Sequence, residues 1–195
     1  MRDRLRFRTP VGGRRLALLS LALLLVSGPA AAQIFVVGAG GTLLSDQGTQ
    51  VTNHSFDRGG GLLFGEIGLG GSGFWQSTSL QARWTFFSLP GGAPDAPSLS
   101  ANSYQMLVAY RFREEWWQAG FIGGGGLYHL SPKAPASGQV AADPNETVAG
   151  FLLGVEAVFQ VTRQFDARLE FSGQLPLTEY NHRILALSAS VAYHF

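Results

Sequence analysis

Residues 165–175 read FDARLEFSGQL. In an extended chain Phe165, Ala167, Leu169, Phe171 and Leu175 share one side, and Asp166, Arg168, Glu170, Ser172 and Gln174 share the other, because successive strand side chains point to opposite faces. This is a strand with one apolar and one charged face. An Arg facing lipid at the bilayer midplane costs about 2–4 kcal/mol, and a one-residue slip of register would put Arg168 there. If such strands cross a membrane, the charged face must point inward.

The same alternation recurs along the chain. Leu185, Leu187, Ala189, Val191, Tyr193 and Phe195 stand against Ala186, Ser188, Ser190, Ala192 and His194. Tyr104, Met106, Val108, Tyr110 and Phe112 stand against Gln105, Leu107, Ala109, Arg111 and Arg113, and Leu80, Ala82, Trp84 and Phe86 against Gln81, Arg83 and Thr85. Eight strands are predicted, over 34–44, 60–70, 74–87, 102–113, 116–130, 147–160, 164–175 and 182–195. Each reaches the roughly 9–11 residues that a tilted strand needs to cross a bilayer. No apolar run after residue 33 is long enough for a spanning helix.

The connections alternate in length. Long polar segments at 45–59, 88–101 and 131–147 separate pairs of strands joined by tight turns near Gly71-Ser72-Gly73, Glu114-Glu115 and Val161-Thr162-Arg163. That is the pattern of a sheet whose odd connections face one compartment and whose even ones face the other. Aromatic residues gather at strand ends: Phe74, Trp75, Phe112, Trp116, Trp117, Phe159, Phe165, Tyr193 and Phe195 beside the short turns, and Trp84, Phe86, Phe87, Tyr104, Tyr128 and Tyr180 near the opposite ends. Two belts of rings a strand apart are what the two interfaces of a membrane select, with Trp75, Trp84, Phe112, Trp116, Trp117, Phe159 and Phe165 as the girdle. The predicted fold is all-β: an eight-stranded antiparallel up-and-down transmembrane β-barrel over residues 33–195.

In this architecture and in its last residues the chain resembles the small outer-membrane β-barrels of Gram-negative bacteria, the outer membrane protein A and X type. In that family the last strand ends in an aromatic residue, usually Phe, which the barrel-assembly machinery reads; Tyr193 and Phe195 match that signal. The resemblance implies residence in the outer membrane, with outer-membrane lipid, lipopolysaccharide, the assembly machinery and periplasmic chaperones as partners. A monomer is expected, with a role in envelope structure or in contact with surfaces and host molecules through 45–59, 88–101 and 131–147, since variable chemistry on a scaffold resides in loops. No peptidoglycan-binding domain follows the barrel in this sequence, so the tethering role of outer membrane protein A is not expected.

Residues 1–32 read as a secretory signal peptide: Arg2, Arg4, Arg6, Arg8, Arg14 and Arg15, the apolar run Leu16–Val26, and Ala30-Ala31-Ala32 as the cleavage site. The surroundings of Arg14-Arg15 match a twin-arginine signal poorly, which favours ordinary export. Of the 14 basic and 13 acidic residues, the remainder keeps 8 and 12, so it offers no basic surface to nucleic acid. It contains no cysteine to form a disulfide.

By parity Glu66, Arg83, Arg111, Glu156, Arg168 and Glu170 lie inside a barrel that has room for side chains and little else. Three acids and three bases predict a neutral interior ion-pair network, since buried charges are tolerated only when paired. The alternative for the same residues is a narrow porin-like ion pathway. Glycines in "GFIGGGGLYHL" and "GEIGLGG" are expected to curve the strands and to make room for crossing Arg and Glu. "VVGAGGTLL" has Leu43 where a dinucleotide fingerprint needs its third glycine, so no nucleotide cofactor is expected.

An enzymatic alternative rests on His129-Leu130-Ser131, which resembles the His-x-Ser of the outer-membrane lipid A deacylases, with Glu146 across the third long loop. His129 would be the base, Ser131 the nucleophile and Glu146 the orienting carboxylate. Pro132 replaces that family's Asn, the pair lies on the fifth strand, and Glu146 has inward parity, so the chain is read as non-enzymatic. His54, His182 and His194 are too scattered for a metal site, and His194 is expected to be hydrogen-bonded inside. The sequons at Asn53 and Asn145 are read as chance. A soluble lipocalin-type barrel, with its apolar face inside, is the alternative fold.

Overall fold

The computed structural model describes residues 35–46, 58–70, 72–89, 98–114, 116–133, 145–178 and 183–195. Eight antiparallel strands follow one another: β1 (Phe35–Asp46), β2 (Arg58–Gly68), β3 (Thr78–Leu89), β4 (Ser98–Arg113), β5 (Trp117–Lys133), β6 (Glu146–Gln160), β7 (Phe165–Pro176) and β8 (Ile184–His194). Each pairs with its neighbour in sequence, and β1 also pairs with β8, from Val36 opposite His194 to Asp46 opposite Ile184. The sheet is therefore a closed barrel, in which each strand has a partner on both sides and no strand is left as an open edge. The seam continues past β8, where Phe195 N–H donates to the Phe35 carbonyl at 3.0 Å and the two rings lie 5.6 Å apart.

Burial follows the alternation. On β7 Asp166, Arg168, Glu170, Ser172 and Gln174 are buried, while Leu169, Phe171 and Leu175 are half exposed on the outside. The same division holds on β3, where Gln81, Arg83 and Thr85 are buried and Leu80, Trp84 and Phe86 are exposed. A lipocalin-type arrangement is overturned by this: the charged face is inside and the apolar face outside.

Three details differ from the sequence-based expectation. β3 begins at Thr78 and not at 74, because Gly73–Ser77 form a short 3-10 helix, entered through Gly70 and Gly73 at positive φ and closed by a 2.8 Å bond from Thr78 Oγ1 to the Phe74 carbonyl. β4 and β5 extend past the expected ends, with Ser98 paired to Lys133, so parts of the expected loops 88–101 and 131–147 are strand. Glycines do open space on the inner wall, but for backbone and rings more than for Arg and Glu. A Cβ on Gly120 or Gly124 would stand 2.0 Å or 2.2 Å from a carbonyl of β4, and one on Gly38 would stand 2.2 Å from the Phe64 ring. Bare inner positions let β4 lean over β5 and curve the wall.

The short turns are built locally. Val161 N–H donates to the Phe165 carbonyl at 2.9 Å, and Thr162 Oγ1 accepts from the N–H groups of Gln164 and Phe165 at 3.2 Å and 3.0 Å. A hydroxyl that serves two turn amides spares them an unpaired state. The expected leader 1–32 and the tips of the long connections lie outside the described residues.

Candidate functional site

Inward parity brings the six expected charges into one connected network. Arg83 clamps Glu170 with Nη1 at 2.8 Å and Nη2 at 2.5 Å, and its Nε donates to Gln81 Oε1 at 2.9 Å. Gln81 in turn donates to Glu66 at 3.1 Å. Glu66 also accepts from both terminal nitrogens of Arg111 and, at 2.6 Å, from Arg168. Arg111 Nε reaches Glu156 at 2.8 Å. All six side chains are buried, so each charge is held by direct partners instead of water.

Two further members share the inward parity of Arg168 but stand at strand ends, where alternation is easily discounted. Asp166 Oδ2 lies 3.8 Å from Arg168 Nη2 and accepts from His194 Nε2 at 2.5 Å. The guanidinium of Arg168 also lies over the Phe64 ring, 4.9 Å from its centroid. This ring occupies the space that Gly38 leaves.

Toward the long connections the lumen changes character. Gln105 donates to the Tyr128 hydroxyl at 2.7 Å, and Ser188 donates to Thr42 at 2.9 Å. Beyond them Leu44, Phe87, Ala101, Tyr128, Leu130, Ile184 and Ala186 form a buried apolar cluster with Leu99 and Val148 against it. Phe87 and Tyr128 were expected in the outer aromatic belt. They are instead buried inside, because their parity is opposite to that of Phe86 and Leu127. Tyr180 lies outside the described residues.

The outer surface carries the rings. Near the short turns Phe74 stacks on Tyr110 at 4.8 Å, Tyr110 meets Phe112 at 5.1 Å, Trp116 meets Phe159 at 6.1 Å, and Phe165, Tyr193 and Phe195 follow one another at 5.1 Å and 4.9 Å. Trp75 and Trp116 are 57% and 63% exposed, and Trp117 also faces outward. At the other end Trp84 stacks with Tyr104 at 6.4 Å. Between the rings lie Val37, Leu63, Val108, Leu153, Leu169 and Leu187, all exposed.

Two solved structures share this arrangement. Neisserial surface protein A matches with a TM-score of 0.65 and 14% identity, covering 83% of this chain and 97% of that one. Ail, the attachment invasion locus protein of Yersinia pestis, matches with a TM-score of 0.59 and 8% identity, covering 84% and 99%. The chain has the fold of the small outer-membrane barrels. No protein-family model matches its sequence, and no characterised protein matches it by sequence. Ail has also been solved with the heparin analogue sucrose octasulfate, and that structure matches with a TM-score of 0.56 at 10% identity.

Against this barrel frame the catalytic candidates separate. His129 faces outward, with Nδ1 hydrogen-bonded to Thr147 Oγ1 at 2.9 Å. Glu146 stands opposite Leu130 with inward parity, so the wall of the barrel lies between the carboxylate and the imidazole. Ser131, opposite Ser100, shares the outer parity of His129. The structure thus brings together the six interior charges and does not assemble His129, Ser131 and Glu146 into a triad.

Proposed function

We propose that this chain is an outer-membrane barrel of the Gram-negative envelope, exported through a cleaved signal peptide at 1–32, with a structural or adhesive role exercised through its long loops and no catalytic one. The observation that carries this reading is the inversion of the barrel, with ion pairs inside and a continuous exposed apolar belt bounded by rings outside. In water such a belt would be a very large exposed apolar patch; in a bilayer it is the required surface. Outer-membrane lipid and lipopolysaccharide are the immediate partners. Tyr193 and Phe195 serve as the signal to the assembly machinery, and periplasmic chaperones deliver the chain. The barrel works as a monomer.

The segments 45–59, 88–101 and 131–147 are where a surface or host ligand would bind, since a rigid sheet leaves variable chemistry to its loops. They carry five carboxylates against Arg58 and Lys133. That balance suits a neutral or basic partner better than a sulfated glycan of the kind solved with Ail.

Cell fractionation tests the placement. The mature protein is expected in outer membranes, starting at Gln33, and with a gel mobility in detergent that shifts on boiling. A freely soluble periplasmic product without that shift would overturn the reading. Lipid A mass spectra from cells with and without the protein test the lipid A deacylase alternative, and no loss of an acyl chain is expected.

A further inference from the structure

The lumen is layered along its axis. Its half nearer the short turns holds the network of Glu66, Arg83, Arg111, Glu156, Asp166, Arg168 and Glu170 beside smaller apolar clusters, and toward its outer end the described residues include the largest buried apolar cluster. We propose that the barrel is sealed against ions by the outer apolar cluster and not by the ion pairs. The inference rests on the membrane placement argued above.

Four observations support it. The cluster is drawn from strands all round the barrel: Leu44 from β1, Phe87 from β3, Tyr128 and Leu130 from β5, Val148 from β6 and Ile184 from β8. These residues sit within a few positions of the strand ends, yet Leu44, Tyr128 and Ile184 are 0%, 0% and 1% exposed. A closed apolar constriction gates by excluding water, and an ion cannot enter a dewetted segment without losing its hydration. Charged side chains, by contrast, can exchange partners with a passing ion. At the opposite end the His194 side chain is 26% exposed while it holds the buried Asp166, which puts the last members of the network within reach of solvent.

Directly beneath the cluster, Ser103 Oγ and Gln105 Oε1 are buried and have no hydrogen-bond partner. They mark the inner face of the seal, and buried polar atoms of this kind are sites for ordered water. The Tyr128 hydroxyl, which accepts from Gln105, joins the two layers.

Planar-bilayer recording separates the two possible seals. The unmodified barrel is expected to be silent. Leu44→Ser/Phe87→Ser should produce conductance steps, whereas Arg83→Gln/Glu170→Gln, which dissolves a central ion pair beneath an intact cluster, should stay silent. A folded cluster variant that remains silent, or a neutralised variant that conducts, would overturn the proposal, as would steps from the unmodified protein. Folding is checked for every variant by the mobility shift on boiling, and Ile184→Ser provides a milder opening where the double variant does not fold. A chain that never enters bilayers fails the membrane reading itself, whereas an inserted chain with the wrong conductance pattern fails only the seal.

Discussion

Glu66 stands at a junction of the network, because it accepts from Gln81, Arg111 and Arg168 together. Glu66→Gln would leave two buried guanidiniums short of a partner, and breaking a buried pair from one side costs about 3–5 kcal/mol. Urea unfolding in detergent or vesicles should show a loss of that size. Replacing both Arg83 and Glu170 with Met should cost far less, because no charge is then stranded. A second residue-scale constraint is steric. At Gly120 an added Cβ would meet the Tyr110 carbonyl at 2.0 Å, a backbone atom that cannot swing aside as a side chain can. Gly120→Ala is therefore expected to lower stability more than Gly59→Ala, where nothing lies within 4 Å of the added carbon. The same unfolding measurement compares them.

At the scale of strands, alternation carried most of the fold. It placed all eight strands, the outward faces of most of them and the six central charges, because one inward charge among apolar neighbours sets the parity of a whole strand. It was less informative where parity was set aside for local density. Phe87 and Tyr128 were assigned by their closeness to a strand end, although Phe86 and Phe121 already fixed their own strands' outward faces. Residues 74–77 look like the start of β3 by composition, and the positive-φ glycines before them, Gly70 and Gly73, turn them into a helical corner. Asp166 was missed for a related reason, as the first inward residue of its strand. The separation of His129 from Glu146 was legible too, because alternation already puts Glu146 on the inward face of its strand. Strand orientation also predicts a depth profile. Leu169→Arg, on the outer face of the strand's interior, should cost about 2–4 kcal/mol, and Leu177→Arg, at the outer rim just past β7, about 0–1 kcal/mol. Stability series in vesicles would check the gradient; a flat one would contradict the assigned lipid face.

For the whole molecule, stability depends on closure more than on any single contact. Deleting 184–195 would remove β8, expose the edges of β1 and β7, and leave Phe35 without its ring partner Phe195. That truncated chain is expected to aggregate and to show no mobility shift on boiling, whereas trimming a long loop should preserve the shift.

Closure also imposes an order of events. The Ser188 to Thr42 hydrogen bond joins positions 146 residues apart, and the whole β1–β8 seam has similar reach. On the export route proposed above, β1 can pair with β2 early, but its other edge must wait until nearly the entire chain has been delivered. Such long-range pairing is slow. On that proposed route an escort is expected to shield the open edge, and the time spent under escort should grow with any insertion that delays arrival of the final dozen residues.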